Sequence, residues 1–318
     1  MGNELKKIIN AQGLAKNFGS VQAVTGVDFS VAEGDVFGFL GPNGAGKTTT
    51  VRMLTGVLEP SEGTATIQGH DIRSEALLSR AHMGIVPEAA NVYMDLSVWR
   101  NVMLMAELHG VPRRERIENA EHLLGALDLD DRKKQKARSL SKGLRQRLML
   151  CSALVTDPEI LFLDEPTSGL DVQSARLIRG IVRERNRKGL TVFLTTHNMD
   201  EAEEMCSRMA IINKGRIAAV DTPDGLRSVI RSRQYTEVSF DGGTPDIRDF
   251  EAIQGVEQVS EESGRFHLYT ATPGRTAAEA VRFADKRDLN ITHLCTRKPS
   301  LEEVYIYITD EHDRETAA

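Results

Sequence analysis

Three observations in this 318-residue chain predict an α/β fold with helices laid over a largely parallel sheet. Short apolar runs at 36–40, 160–163 and 190–195 alternate with stretches of helical periodicity and read as buried strands. The runs end at or just before residues that carry chemistry: Gly41, the pair Asp164-Glu165, and His197. Ligands of open parallel sheets gather at the carboxyl ends of the strands, so these residues fall where a site is expected.

Ahead of the first buried strand, residues 8–14 and 27–31 are rich in β-branched side chains and are interrupted by Asn17, Gly19, Gly26 and Gly34. That pattern predicts an antiparallel strand region, with Phe18 between its two runs. Directly after the strand comes Gly41-Pro42-Asn43-Gly44-Ala45-Gly46-Lys47-Thr48, which fits G-x-x-x-x-G-K-[ST]. Its glycines remove β-carbons, so successive backbone N–H groups can curl around a di- or triphosphate at the positive end of a helix running from Thr49 to about Val57. Lys47 can then reach the β- and γ-phosphates, and the Thr48 hydroxyl is placed to ligate Mg²⁺.

Gly56 is a plausible end for that helix, and Pro60-Ser61-Glu62-Gly63 turns into a strand at 64–67, with another short strand at 82–87. Between Ser97 and Val155 the apolar residues recur at helical spacing, which predicts an all-helical insert, about 88–155 with its leading loop. A helix at 174–188 closes at Gly189. After Asn213-Lys214-Gly215, a turn between short strands, the Pro223-Asp224-Gly225 turn is expected to precede a basic helix. From Gln234 to Thr309 strands at 235–240, 266–270 and 291–295 alternate with helices around 276–286 and from Ser300, which reads as a small α+β appendage. The expected domains are 1–225 and 226–318.

The composition narrows the function. Forty Lys and Arg stand against 46 Asp and Glu, a formal charge of -6, and the basic residues read as spread, so nucleic acid is not the expected partner. No apolar run approaches the ~18 residues of a membrane span, and residues 1–6 lack a signal-peptide core and the Ser or Thr of a myristoylation site. Cys151, Cys206 and Cys295 have no metal-type spacing and suit reduced thiols packed in cores or helices.

The residues after the second strand add catalytic chemistry. Asp164 at a strand end can hold Mg²⁺ through water, and Glu165 is a candidate general base for an attacking water. His197 can contact a γ-phosphate as a donor.

Five motifs in order carry a resemblance: the loop at 41–48, Leu140-Ser141-Lys142-Gly143-Leu144-Arg145-Gln146-Arg147, Leu163-Asp164-Glu165-Pro166, Ser168-Gly169-Leu170-Asp171 and Thr195-Thr196-His197. Over roughly residues 5–225 the chain resembles the nucleotide-binding subunit of an ATP-binding cassette transporter, and the tail containing Pro299-Ser300-Leu301-Glu302-Glu303-Val304-Tyr305 resembles the extension of its drug-export-type branch. The resemblance implies a P-loop NTPase of the cassette type, with an antiparallel β-subdomain, a helical insert and the α+β appendage. It implies ATP and Mg²⁺ as cofactors, with nucleotide contacts at Gly41, Pro42, Asn43, Gly44, Ala45, Gly46, Lys47, Thr48 and Thr49, and with Phe18 stacking on adenine. Catalysis would fall to Lys47, Glu165 and His197, and metal binding to Thr48, Asp164 and Glu88. Ser141 and Gly143 would serve the γ-phosphate held by a second copy, with Asp171 at the seam between copies; Ser141 as a simple helix cap is compatible with that role. Separate integral membrane permease subunits at the cytoplasmic face of the cell membrane complete the implied assembly.

Two residues depart from the family pattern. Glu88 stands where glutamine is usual, and the signature reads Ser-Lys-Gly-Leu instead of Ser-Gly-Gly-Gln. Glu88 can ligate Mg²⁺, orient water or face solvent, and Lys142 can approach the γ-phosphate or face solvent. An export ATPase is the leading expectation. A soluble cassette ATPase acting on nucleic acid or ribosomes is the rival, and a nucleotide-binding regulator without turnover is a third reading. The first rival usually carries two cassettes or a long coiled-coil insert, which this sequence lacks.

Overall fold

The computed structural model describes residues 6–89, 91–230, 234–241 and 245–317, so residues 1–5, which bear on the expected absence of a leader or lipid anchor, lie outside the described residues. Two compact units divide between Thr222 and Pro223. The first runs β1 (Lys7–Phe18), β2 (Val21–Ala32), β3 (Val36–Leu40), α1 (Lys47–Leu54), β4 (Glu62–Ile67), β5 (His70–Asp71), α2 (Ala76–Ala81), β6 (Met83–Val86), α3 (Val98–Leu108), α4 (Arg113–Ala126), α5 (Lys142–Leu154), β7 (Ile160–Asp164), α6 (Val172–Arg187), β8 (Thr191–Thr196), α7 (Met199–Met205), β9 (Arg208–Asn213) and β10 (Arg216–Asp221). The second runs α8 (Pro223–Ser228), β11 (Tyr235–Asp241), α9 (Ile247–Glu251), β12 (Val256–Glu262), β13 (Arg265–Thr270), α10 (Pro273–Lys286), β14 (Asn290–Arg297) and α11 (Leu301–Ala317).

In the first unit a six-stranded sheet has the order β10-β9-β3-β8-β7-β6, parallel except for the β9-β10 hairpin. A second, antiparallel sheet β2-β1-β4-β5 lies in the same unit. Strand period decides how they meet: Phe37 and Phe39 alternate with Gly38 and Leu40, and both rings pack with Phe29 of β2 and Phe193 of β8 at centroid distances of 5.5–5.9 Å. Burying each such ring contributes roughly 1.5–3 kcal/mol, so this cluster anchors the strand that carries the phosphate loop. On the opposite face a β-carbon at Gly38 would stand 2.8 Å from the Cys206 sulfur, so only glycine lets the end of α7 sit this close. Cys151 and Cys206 are buried, and burial pushes both thiols up, which makes them packing groups.

The helical insert forms as expected, with α3 packed on α4 and α5. Ser97 caps α3 by accepting from the Arg100 N–H at 3.2 Å.

The second unit is a four-stranded antiparallel sheet in the order β12-β13-β11-β14. Val238, Phe250, Phe266, Leu268 and Ala280 form its core, with Phe240 and Phe283 against them. Glu237 points to the other face and is still buried, held by Arg265 at 2.5 Å and Arg297 at 3.3 Å; these guanidinium bonds, Arg265 first, keep its carboxyl below the usual range.

In the second unit three elements differ from the sequence expectation. Pro223-Asp224-Gly225 is not a turn ahead of a helix but the first turn of α8 itself, where proline's missing N–H costs nothing. β12 has only Val256 and Val259 as apolar residues, and a register shift between Val256 and Gln258 breaks its alternation. α9 spans one turn, set by the reciprocal capping of Asp246 and Asp249.

Candidate functional site

The loop between β3 and α1 takes its shape from close approach and backbone sign. A β-carbon at Gly41 would stand 2.3 Å from the Ile212 carbonyl oxygen, and Gly46 caps α1 at φ 106°, a left-handed conformation that favours glycine. No side chain caps α1, so the N–H groups of its first turn remain aimed into the loop, the arrangement that favours an anion. Lys47 is buried, and its ammonium donates to the Gly41 carbonyl at 2.7 Å and the Pro42 carbonyl at 3.2 Å.

Carboxylates from the end of β7 complete the site. Asp164, 3% exposed, accepts from Thr195 Oγ1 at 2.5 Å and from Thr48 Oγ1 at 3.3 Å. Glu165, 7% exposed, touches Lys47 Nζ through Oε1 at 3.2 Å and His197 Nδ1 through Oε2 at 2.8 Å. The Lys47 contact is an ion pair without hydrogen-bond geometry, which leaves Oε1 without a hydrogen-bond partner among the described residues. Facing a carboxylate, Nδ1 of His197 carries the ring proton. Glu165 sits at φ 49°, a conformation that costs a non-glycine residue about 1–3 kcal/mol. Its N–H is pinned by both the carbonyl and the hydroxyl of Thr195, at 3.1 and 3.2 Å, which holds that backbone in place.

A cleft of about 320 Å³ collects Ala23, Pro42, Asn43, Gly44, Gly46, Lys47, Thr48, Thr49, Glu88, Glu165, Ser168 and His197. Glu88 is exposed at its rim. Gly41 and Asp164 bond to the lining residues Lys47 and Thr48 without lining the cleft, and Ala45, Phe18, Ser141 and Gly143 do not line it either. Phe18 ends β1 half exposed, with Lys16 Nζ 5.5 Å from its ring. Ser141 caps α5, accepting from the Leu144 N–H at 3.3 Å. Gly143 lies where a β-carbon would stand 2.7 Å from Ser174 Oγ, so α5 abuts the start of α6. There Asp171 accepts from the Ser174 N–H and hydroxyl, both at 2.8 Å, which lowers its pKa. Lys142 does not simply face solvent: its ammonium donates to the Ser168 carbonyl at 2.8 Å. Sequence reasoning missed Ala23, which carries no signal, and the lining role of Ser168, which lies within a motif already singled out.

The oxygen donors Thr48 and Asp164 suit a hard cation such as Mg²⁺. Among the described residues no three His, Cys, Asp or Glu gather to hold a metal.

A parallel sheet with a glycine loop after one strand and buried acids after another defines a P-loop nucleotide-binding cassette. Residues 24–168 match the family model described as ABC transporter. Daunorubicin resistance ATP-binding protein DrrA3 of Streptomyces coeruleorubidus is 33% identical over 308 residues, 96% of this chain and 97% of that protein. Nod factor export ATP-binding protein I of Rhizobium sp. (strain N33) is 36% identical over 309 residues, again 96% and 97%. A solved ATP binding subunit of an ABC transporter superposes with TM-score 0.66 at 27% identity, covering 70% of this chain and 92% of that one. The chain belongs to the ABC transporter family, as an ATP-binding subunit.

Proposed function

We propose that this chain is the Mg²⁺-dependent ATPase of an exporter, paired with a second copy and docked on separate permease subunits at the cytoplasmic face of the membrane. The observation that carries this reading is the continuous contact from Lys47 through Glu165 to His197 beside the phosphate loop. The relatives named for Nod factor export and for daunorubicin resistance support it over a soluble cassette acting on nucleic acid or ribosomes. Among the described residues no helix is long and apolar enough to cross a membrane, so the proposed cargo path belongs to other chains.

In this reading residues 41–49 hold the phosphates, and Lys47 neutralises charge on the terminal ones. Glu165 accepts a proton from the attacking water while His197 beside the γ-phosphate orients that carboxylate through its Nδ1–H. Thr48 and Asp164 would hold Mg²⁺, which when bound spreads charge off the phosphate oxygens. Phe18 stacks on the adenine. Ser141 and Gly143, outside this chain's own cleft, serve the nucleotide of the second copy. The unit from Pro223 onward stabilises the pair or regulates docking.

Glu88 brings a negative charge to the same cleft as Glu165, and like charges there repel unless a cation intervenes. Hydrolysis by the purified chain is therefore expected to cease in EDTA and return with Mg²⁺. Glu88→Gln should stay active with weaker dependence on the metal. A Mg²⁺ titration of ATP turnover decides: activity in EDTA overturns the metal assignment, and superimposable curves place Glu88 in solvent.

A further inference from the structure

The helix that Lys142 opens does not account for a lysine there. As the first residue of α5, directly after the cap Ser141, it places a cation at the positive end of the helix dipole, where cations are disfavoured. The segment that follows β7 supplies the reason. The Lys142 ammonium donates to the Ser168 carbonyl at 2.8 Å, and Gly169, at φ 64°, leaves room for it: a β-carbon there would stand 2.6 Å from Nζ.

That segment begins at Glu165. The Ser168 N–H donates to the Glu165 carbonyl at 3.2 Å, which closes a turn over Pro166 and Thr167. Thr167 Oγ1 donates to Glu201 of α7 at 2.6 Å. Residues 165–168 are therefore held from three elements: Thr195 of β8 bonds the Glu165 N–H, Glu201 of α7 the Thr167 hydroxyl, and Lys142 of α5 the Ser168 carbonyl. A backbone conformation as costly as that of Glu165 persists only where its surroundings over-determine it. Ser168 also lines the cleft beside Glu165, so a shift of this turn is a shift of the site. Of the three holds, the one from Lys142 starts between Ser141 and Gly143.

Resting on the reading of Glu165 as the base and of Ser141 and Gly143 as contacts to a second copy's nucleotide, we propose that Lys142 is a positioning residue for Glu165. By holding the Ser168 carbonyl it fixes the turn that carries the base and ties that turn to the start of α5. The stretch that meets the nucleotide of one copy then also sets the base beside the nucleotide of the other. The ammonium serves its own chain's turn, and not the γ-phosphate across the pair.

The test is steady-state ATP hydrolysis by the purified full chain carrying Lys142→Met, which keeps the side chain's length without its charge, or Lys142→Arg, which can still donate to a carbonyl. Lys142→Met should lower kcat roughly five- to tenfold, the effect of losing one hydrogen bond, with KM for ATP and Tm unchanged. Lys142→Arg should restore most of the wild-type kcat. Added to Glu165→Gln, Lys142→Met should leave ATP-driven pairing as it is in Glu165→Gln alone. An unchanged kcat in Lys142→Met, or an arginine variant no faster than the methionine one, would overturn the proposal. So would a raised KM with weakened pairing, which would put the ammonium on the partner's phosphate. Glu165→Gln separates this result from the assignment beneath it. If that variant hydrolyses ATP as fast as wild type, the base falls and the proposal with it; if it is silent while Lys142→Met runs at full rate, the proposal alone falls.

Discussion

Glu165→Gln is expected to bind ATP as wild type does and to hydrolyse it at least about a hundredfold more slowly, since a positioned general base supplies ~10²–10⁴ in rate. The amide keeps the shape of the carboxylate and can still reach His197, which stands 2.8 Å from Oε2. It cannot take the proton of the attacking water. Steady-state turnover beside equilibrium binding of a fluorescent ATP analogue checks the separation, and turnover close to wild type would remove Glu165 from the role of base.

Lys47→Ala is expected to act on binding itself. A charge-assisted hydrogen bond to a phosphate contributes about 1.5–3 kcal/mol, so Kd for ATP should rise roughly 10- to 150-fold. A second consequence follows from burial. Lys47 and Glu165 are 6% and 7% exposed in their side chains, and removing the cation strands a buried carboxylate, a loss of about 3–5 kcal/mol in comparable pairs. Lys47→Ala should therefore lower Tm, and adding Glu165→Gln should recover much of that loss while leaving ATP affinity weak. Thermal melts of the single and double variants read the coupling; additive losses would mean that the 3.2 Å contact does not stabilise the fold.

The sequence made the nucleotide cassette legible because its parts are local. The phosphate loop is contiguous, its glycines and the Lys-Thr pair stand at fixed spacing, and the buried strands are uninterrupted apolar runs. What it did not reveal depends on distant partners. The φ of 49° at Glu165 is fixed by Thr195, thirty positions away, and the lining role of Ala23 comes from a strand of the other sheet. Lys142 shows the same limit: its bond to the Ser168 carbonyl exists only because α5 and α6 meet at Gly143 and Ser174. The appendage was read less completely, since β12 has two apolar residues and a bulge, and α9 a single turn.

The central claim is that one chain holds a nucleotide in its own cleft and that a second copy completes the site through Ser141 and Gly143, which do not line that cleft. Sedimentation velocity of Glu165→Gln with saturating Mg-ATP and with Mg-ADP tests it most directly. The account predicts a dimer with ATP, a monomer with ADP, and loss of the ATP dimer when Ser141→Arg is added. A Glu165→Gln chain that remains monomeric with ATP demonstrably bound, or an ATP dimer indifferent to Ser141→Arg, would contradict it.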